Sequence, residues 1–411
     1  MNETVKRYYL KLGKQLNREV IIEGNKVNGV EVEENSIDGK GEAAIKGGKV
    51  KAIITGGQGF VGHHLVEHLL KNTDWDLILF DKLSYASIPK DKLADMDTWA
   101  LYKHRVKFYA IDLNREVSEG VDKEIGKIDY ILHLAAESHV DRSITDPVPF
   151  ILNNVKATLN ILEYARKHPE LKMFVNFSTD EVYGPAPDIN DSLGSVVRKF
   201  PAISYFRHIT DGEVTFHSDI QEKGFPEFFY HHPSNPYSAS KSAQEAIGIA
   251  YSNTYKVPVV TTHTMNIIGE RQHPEKYVPL VINKVLKGET VTIHGDKTKT
   301  KSGTRFYIHA RNVANALLNI VNAGYHGYDE WNIVGEQELS NLELAQLIAD
   351  HLGKELKYEI VDFHSSRPGH DLRYALDGTK YREAFGEHPK SLIESLHKTI
   401  DWTIERKDDW L

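Results

Sequence analysis

From Val50 onward, short apolar runs alternate with amphipathic stretches of helical length, and this alternation predicts the fold. VKAII (50–54), Asp76–Phe80, Val106–Ile111, Ile128–Leu134, Lys172–Phe177 and PVVTTHT (258–264) read as six strands. Runs this continuous are expected where both faces of a parallel sheet are covered. Helices are expected at 60–70, at Asn153–Arg166 and at 235–251. In the second of these, Val155, Leu159, Leu162 and Ala165 fall on one face. Strands alternating with helices predict an α/β fold with a doubly wound, Rossmann-like parallel sheet. After 264 the alternation breaks, a helix over Pro279–Lys287 follows, and a smaller C-terminal α/β substrate domain is expected.

Two stretches depart from this pattern. Glu19–Glu34 alternates apolar and polar residues around Asn28-Gly29, a hairpin signal. It stands between a basic amphipathic stretch, Thr4–Asn17, and a Gly- and Lys-rich linker, Asn35–Gly48. Residues 185–232 carry Pro, Gly and many aromatics without a sustained period, and read as an elaborated loop with one hairpin at 206–220. The expected organisation is an N-terminal appendage (1–48), a nucleotide-binding domain (49–264) with an insertion at 185–232, and a substrate-binding region (265–411).

Composition narrows the function. With 411 residues, 40% apolar and 26% charged, the chain is of globular type and long enough for more than one core. A net charge of −8 argues against nucleic acid as a partner. No apolar run approaches the roughly 20 residues of a membrane helix, and the N-terminus lacks the apolar core of a signal peptide. The absence of cysteine excludes disulfides, zinc-thiolate sites and cysteine nucleophiles. Cytoplasm is the expected location. The histidines, His231-His232 included, lack a ligand framework such as HExxH, so no metal is expected.

Three stretches carry chemistry. TGGQGFVG (55–62) follows the first strand and opens a helix, with Gly56, Gly59 and Gly62 spaced GxxGxxG. Such glycines permit a tight turn and close approach of the backbone to a pyrophosphate at a helix N-terminus. The next strand ends at Asp81, the place of a carboxylate that binds an adenosine ribose, which favours NAD over NADP. Small Ala135 and Ala136 let a dinucleotide lie against the fourth strand's end. STDEVYG (178–184) stands at the carboxyl end of the fifth strand, where open sheets bind ligands. Its hydroxyl and two carboxylates suit a hydrogen bond, a general acid and a general base; the bland alternative is a helix-capping turn. In NPYSASK (235–241), Tyr237 and Lys241 share a helix face, and a neighbouring ammonium favours tyrosinate.

Taken together, TGGQGFVG, DKLSYAS (81–87), LAAESHVDRSI (134–144), STDEVYG, NPYSASK, PEKYVPLVI (274–282) and RPGHDLRYALD (367–377) resemble the extended short-chain dehydrogenase/reductases. The nearest resemblance is to nucleotide-sugar 4,6-dehydratases acting on dTDP-glucose or UDP-glucose, over Lys49 to about Asp401. The resemblance implies that Tyr237 removes the sugar 4-hydroxyl proton, Thr179 hydrogen-bonds that oxygen, and Lys241 lowers the tyrosine pKa. It implies that Glu181 takes the C5 proton while Asp180 protonates the departing 6-hydroxyl, with NAD tightly held. Gly56, Gly59, Phe60, Val61, Gly62, Asp81, Lys82, Ser84, Asp112, Leu113, Ala135 and Ala136, with Tyr237 and Lys241, are then the cofactor residues. Ser138, Asn266, Glu275, Lys276, Arg305, Asn341, Arg367 and His370 are the substrate and diphosphate residues. A homodimer joined through two helices per subunit is implied by the family alone.

The chain departs from that family in three places. It reads SGTRFYIHARN (302–312) where the family carries an Arg-Asp-Trp-like run, so Arg305 stands in for the phosphate-binding arginine. The 185–232 loop is longer, and residues 1–50 have no counterpart. An epimerase or decarboxylase of the same fold remains an alternative that Asp180 disfavours, and a catalytically dead NAD-binding regulator is the alternative from another class.

Overall fold

The structure is a computed structural model that describes residues 22–23, 26–27, 30–31, 49–84, 93–96, 99–187, 220, 222–362 and 372–410. It divides into two units, 1–48 and 49–411. In the first, Ile22–Glu23, Lys26–Val27 and Val30–Glu31 pair as an antiparallel three-stranded meander, with Asn28-Gly29 between the last two strands in sequence. The helix expected at Thr4–Asn17, the linker at Asn35–Gly48 and most of the hairpin expected at 206–220 lie outside the described residues.

The second unit is built on seven parallel strands. These are β1 (Lys51–Thr55), β2 (Asp76–Asp81), β3 (Val106–Ala110), β4 (Tyr130–His133), β5 (Met173–Phe177), β6 (Val259–Thr264) and β7 (Asp329–Ile333). Their order is β7-β6-β5-β4-β1-β2-β3, and every neighbouring pair is parallel. The order reverses between β1 and β4, the switch point at which doubly wound sheets bind ligands. Burial explains the apolar runs: Ala52, Ile53 and Ile54 are fully inaccessible, and every residue of β5 and β6 is buried. The edge strand β3 is mostly exposed.

β7 was not among the six strands expected, and it comes from beyond 264. DEWNI is too short and too polar to register as an apolar run. Its polar residues are buried because they are bonded: Asn332 Nδ2 donates to the carbonyls of Phe225 and Asp377, and Glu330 Oε2 accepts from the Phe228 amide. The region after 264 therefore shares the main sheet. It also has its own core, where α4 (Tyr277–Lys287), α5 (Asn341–His351) and α6 (Leu392–Glu405) pack Val281, Ile282, Ala345, Ile348 and Leu396 together.

Three earlier helices position the site: α1 (Phe60–Asn72), α2 (Pro147–Arg166) and α3 (Pro236–Tyr255). Helix α2 begins six residues before the expected start, because Pro147 is tolerated in a first turn. The expected buried face of α2 is wrong at two of its four positions: Leu159 is exposed and Val155 only half-buried. The face against α3 is polar instead. Asn154 Nδ2 donates to Ser240 Oγ at 2.9 Å, and Gln244 Nε2 donates to the Asn154 carbonyl and to Thr158 Oγ1. Such a seam is invisible to a search for apolar periodicity. Among the described residues, no helix is long and apolar enough to cross a membrane.

Candidate active site

A cleft of about 220 Å³ opens over the switch point, and all fourteen residues expected at the cofactor line it. The glycines of 55–62 are there for steric reasons. Gly56 has φ of +70°, and a Cβ on it would stand 3.0 Å from Ala135 Cα. A Cβ on Gly62 would lie 2.0 Å from the Gly56 carbonyl oxygen, so only glycine lets α1 start this close to β1. Thr55 closes the other wall, its hydroxyl accepting from the Leu134 and Ala135 amides at 3.1 Å. The cradle fits a dinucleotide: close backbone below, an α-helix N-terminus beside it, and a carboxylate at the end of β2. Asp81 is held ready there, accepting from the Gln58 amide at 3.0 Å and the Leu83 amide at 2.8 Å.

Tyr237 and Lys241 stand on the first turns of α3, and the helix start fixes both. Asn235 and Ser238 form a reciprocal capping box, with Pro236 at the first helical position. Asn235 has a second task, donating from Nδ2 to Glu181 Oε2 at 2.7 Å. It was not among the expected site residues, although an N-cap beside a Pro at N1 was there to be found.

Thr179 lies between Tyr237 and Asp180, its hydroxyl favouring the ionised form of the phenol and donating to Asp180 Oδ1 at 3.0 Å. Asp180 is buried and its other oxygen, Oδ2, has no hydrogen-bond partner among the described residues. Burial, helped by the neighbouring Glu181, pushes the Asp180 carboxyl up to about 7. A carboxyl in this state is an acid with a proton to give near neutral pH. Glu181, half-buried and steadied by Asn235, is its complement.

Lys241 is placed differently from expectation. Its ammonium donates to the Phe177 carbonyl at 2.7 Å, and burial lowers it to about 8. The Tyr237 phenol is held above its usual range, first by burial and then by Glu181, so the expected lowering by Lys241 is not seen in this state. The reason is distance from water: desolvation penalises phenolate, and the carboxylates of Glu181 and Asp180 add to the penalty.

The residues expected at the substrate divide. Ser138, Glu275 and Lys276 line the cleft with the cofactor set. Glu275 is engaged there by His139 at 3.3 Å and His273 at 3.5 Å. Arg305 is buried over the Tyr374 ring, donates to the Thr304 and Leu372 carbonyls, and feeds its positive charge toward Asp180. Asn341 is braced by Tyr277 and Tyr307, whose hydroxyls donate to its carbonyl and Oδ1. Asn266 is exposed at the end of β6, its carbonyl accepting from the Ile308 amide. Arg367 and His370 lie outside the described residues. Gln272, His273 and Asn153 line the cleft without having been expected.

The sequence matches the model of the NAD dependent epimerase/dehydratase family over residues 52–205 and that of GDP-mannose 4,6 dehydratase over 216–400. A dTDP-glucose 4,6-dehydratase of Escherichia coli is 33% identical over 379 residues, 88% of this chain and 95% of that protein. The chain belongs to this NAD-dependent epimerase/dehydratase family.

Other family members agree. The low-salt glycan biosynthesis protein Agl12 of Haloferax volcanii is 32% identical over 86% of this chain and 98% of its own length. The solved structure of a dTDP-glucose 4,6-dehydratase from Streptomyces venezuelae, with NAD bound, matches with a TM-score of 0.69 at 30% identity, covering 88% of this chain and 99% of that one. The family member described here is an NAD-dependent nucleotide-sugar 4,6-dehydratase, a hydro-lyase. The fold class, the cofactor and the resemblance expected from the sequence stand with these findings.

Proposed function

We propose that the chain converts dTDP-glucose to the 4-keto-6-deoxy sugar, with UDP-glucose as the substrate to test beside it. The observation that carries the assignment of roles is the Tyr237–Thr179–Asp180 row, which ends in a buried carboxyl oxygen without a partner among the described residues. Tyr237 takes the 4-hydroxyl proton, and Thr179 hydrogen-bonds the same oxygen. Glu181, aimed by Asn235, takes the C5 proton made acidic by the 4-keto group. Asp180 gives its proton to the departing 6-hydroxyl. One carboxyl that gives a proton beside one that takes a proton is what a concerted removal of water needs.

Gly56, Gly59, Gly62, Asp81 and their neighbours would hold NAD, which would supply the hydride acceptor. Phe60, Val61, Lys82, Ser84, Asp112 and Leu113 complete that set. Ser138, Asn266, Glu275, Lys276, Arg305, Asn341, Arg367 and His370 serve the nucleotide sugar. Arg305 is suited to a diphosphate because a planar guanidinium on a braced β-strand loses little freedom on binding.

The same reading includes a cytoplasmic homodimer. Its support is an exposed apolar stripe on α2, with Val148 at 65%, Leu152 at 61% and Leu159 at 39% accessible, beside exposed Ala246 and Ala250 on α3. The direct experiment incubates purified protein, without added NAD, with dTDP-glucose, UDP-glucose and GDP-mannose in parallel, followed by mass spectrometry. Loss of one water from dTDP-glucose is expected. Turnover of GDP-mannose alone would overturn the substrate assignment.

A further inference from the structure

Behind the row just described is a second buried array with no part yet in the reaction. Glu245 lies one helical turn beyond Lys241 on α3, and its side chain is fully buried. Its Oε2 meets His263 Nε2 at 3.0 Å and His231 Nε2 at 3.2 Å, and its Oε1 accepts the hydroxyl of Ser178. These partners come from three places: β6, the segment leading into α3, and the end of β5. His231 is itself fixed, its Nδ1 meeting Ser242 Oγ at 2.7 Å. The phenol of Tyr183 stands 3.4 Å from His263, and the phenols of Tyr183 and Tyr328 both lie in the field of Glu245.

The array meets the catalytic residues at two adjacent backbone positions. Phe177 gives its carbonyl to Lys241, and Ser178 gives its hydroxyl to Glu245. Thr179 is the next residue. One carboxylate thus grips the strand end that presents Thr179 and also faces the ammonium one turn earlier on its own helix.

We propose that Glu245, anchored by His263 and His231, is a positioning residue of the dehydratase, keeping Lys241 cationic and holding Ser178 so that Thr179 meets Tyr237. The proposal rests on the roles given above to Tyr237 and Lys241. The electrostatics support it. Burial draws Lys241 down to about 8, and Glu245 is the group that pushes it back up. The other titratable group facing Lys241, His133 on β4, is fully buried and, held down to about 3, stays neutral. Burial would raise Glu245, yet His263 first and His231 with it hold its carboxyl down to about 2. The anion is therefore permanent over the working pH range.

The experiment is the pH dependence of water loss from dTDP-glucose by the intact protein, for wild type, Glu245→Gln, Glu245→Asp and Lys241→Ala, with bound NAD and melting temperature recorded for each. Without the carboxylate, the lysine loses its proton at lower pH. The alkaline limb of Glu245→Gln should move down by about one unit, a roughly fivefold loss at pH 8 that closes toward wild type in acid. Glu245→Asp withdraws the charge by one methylene and should fall between the two, which keeps the test open if the glutamine variant does not fold. Limbs that coincide with wild type in both variants would overturn the proposal. So would one zinc per chain that Glu245→Gln loses, since the three ligand atoms of His231, Glu245 and His263 lie within 4.8 Å of one another. Lys241→Ala separates the two levels: if it turns over like wild type, the site assignment fails, whereas a dead Lys241→Ala with unmoved Glu245 limbs sinks only the positioning role.

Discussion

Thr179 Oγ1 donates to Asp180 Oδ1 at 3.0 Å, and the second oxygen of the same buried carboxyl has no partner among the described residues. The carboxyl is thereby oriented by one oxygen and keeps the other for chemistry. Its proton is retained to about pH 7 by burial and by Glu181. Replacement by asparagine preserves the shape and removes the acid. Asp180→Asn should lower the rate of water loss by roughly 10²–10⁴-fold, measured by mass spectrometry of the sugar nucleotide.

Asp180 also makes stability depend on pH. Its folded-state pKa is raised, so its contribution is fully present below the unfolded value of an aspartate and is lost as pH rises through about 7. Wild type should therefore lose melting temperature relative to Asp180→Asn between pH 4 and pH 8, by on the order of 1 °C per kcal/mol lost. Thermal scans at the two pH values check this. Parallel curves would show that the carboxyl is not proton-bound in the fold.

Glu181 is held by Asn235 Nδ2 at 2.7 Å. Glu181→Gln should leave the oxidation at C4 possible and stop removal of the C5 proton. In deuterated water the variant should take up little label at C5 while wild type labels product fully, read by mass spectrometry. Asn235→Ala should weaken the same step and also cost about 1 kcal/mol of stability through the lost helix cap.

Gly62 lies where any side chain would strike the Gly56 carbonyl oxygen at 2.0 Å. Gly62→Ala must push α1 away from β1, at a cost of about 1–3 kcal/mol. The purified variant should melt lower and carry no NAD, as assayed by absorbance after acid release.

The exposed stripe of Val148, Leu152 and Leu159 on α2 gives the proposed dimer a direct test. Leu152→Arg places a charge at its centre, which a buried interface does not tolerate unpaired. Sedimentation should report a dimer for wild type and a monomer for the variant.

Much of this protein was determined by local sequence. Continuous apolar runs are sufficient to mark strands covered on both faces, and all six expected ones match β1 to β6 to within two residues at each end. The glycines of 55–62 and the carboxylate at Asp81 also read directly, since a close backbone approach and a charge at a strand end leave residue-type signatures at fixed spacing. Tertiary structure decided the rest, because the forces involved act between residues distant along the chain. β7 is polar and buried only because Asn332 and Glu330 find partners from other segments. The buried face of α2 is chosen by the polar seam with α3 rather than by its own apolar periodicity. The protonation of Asp180 comes from desolvation beside Glu181, and the Glu245 array draws on residues 178, 231 and 263, which no spacing rule connects. A pattern along the chain records what each residue needs from water; which charges face one another in its absence is settled only when the sheet closes.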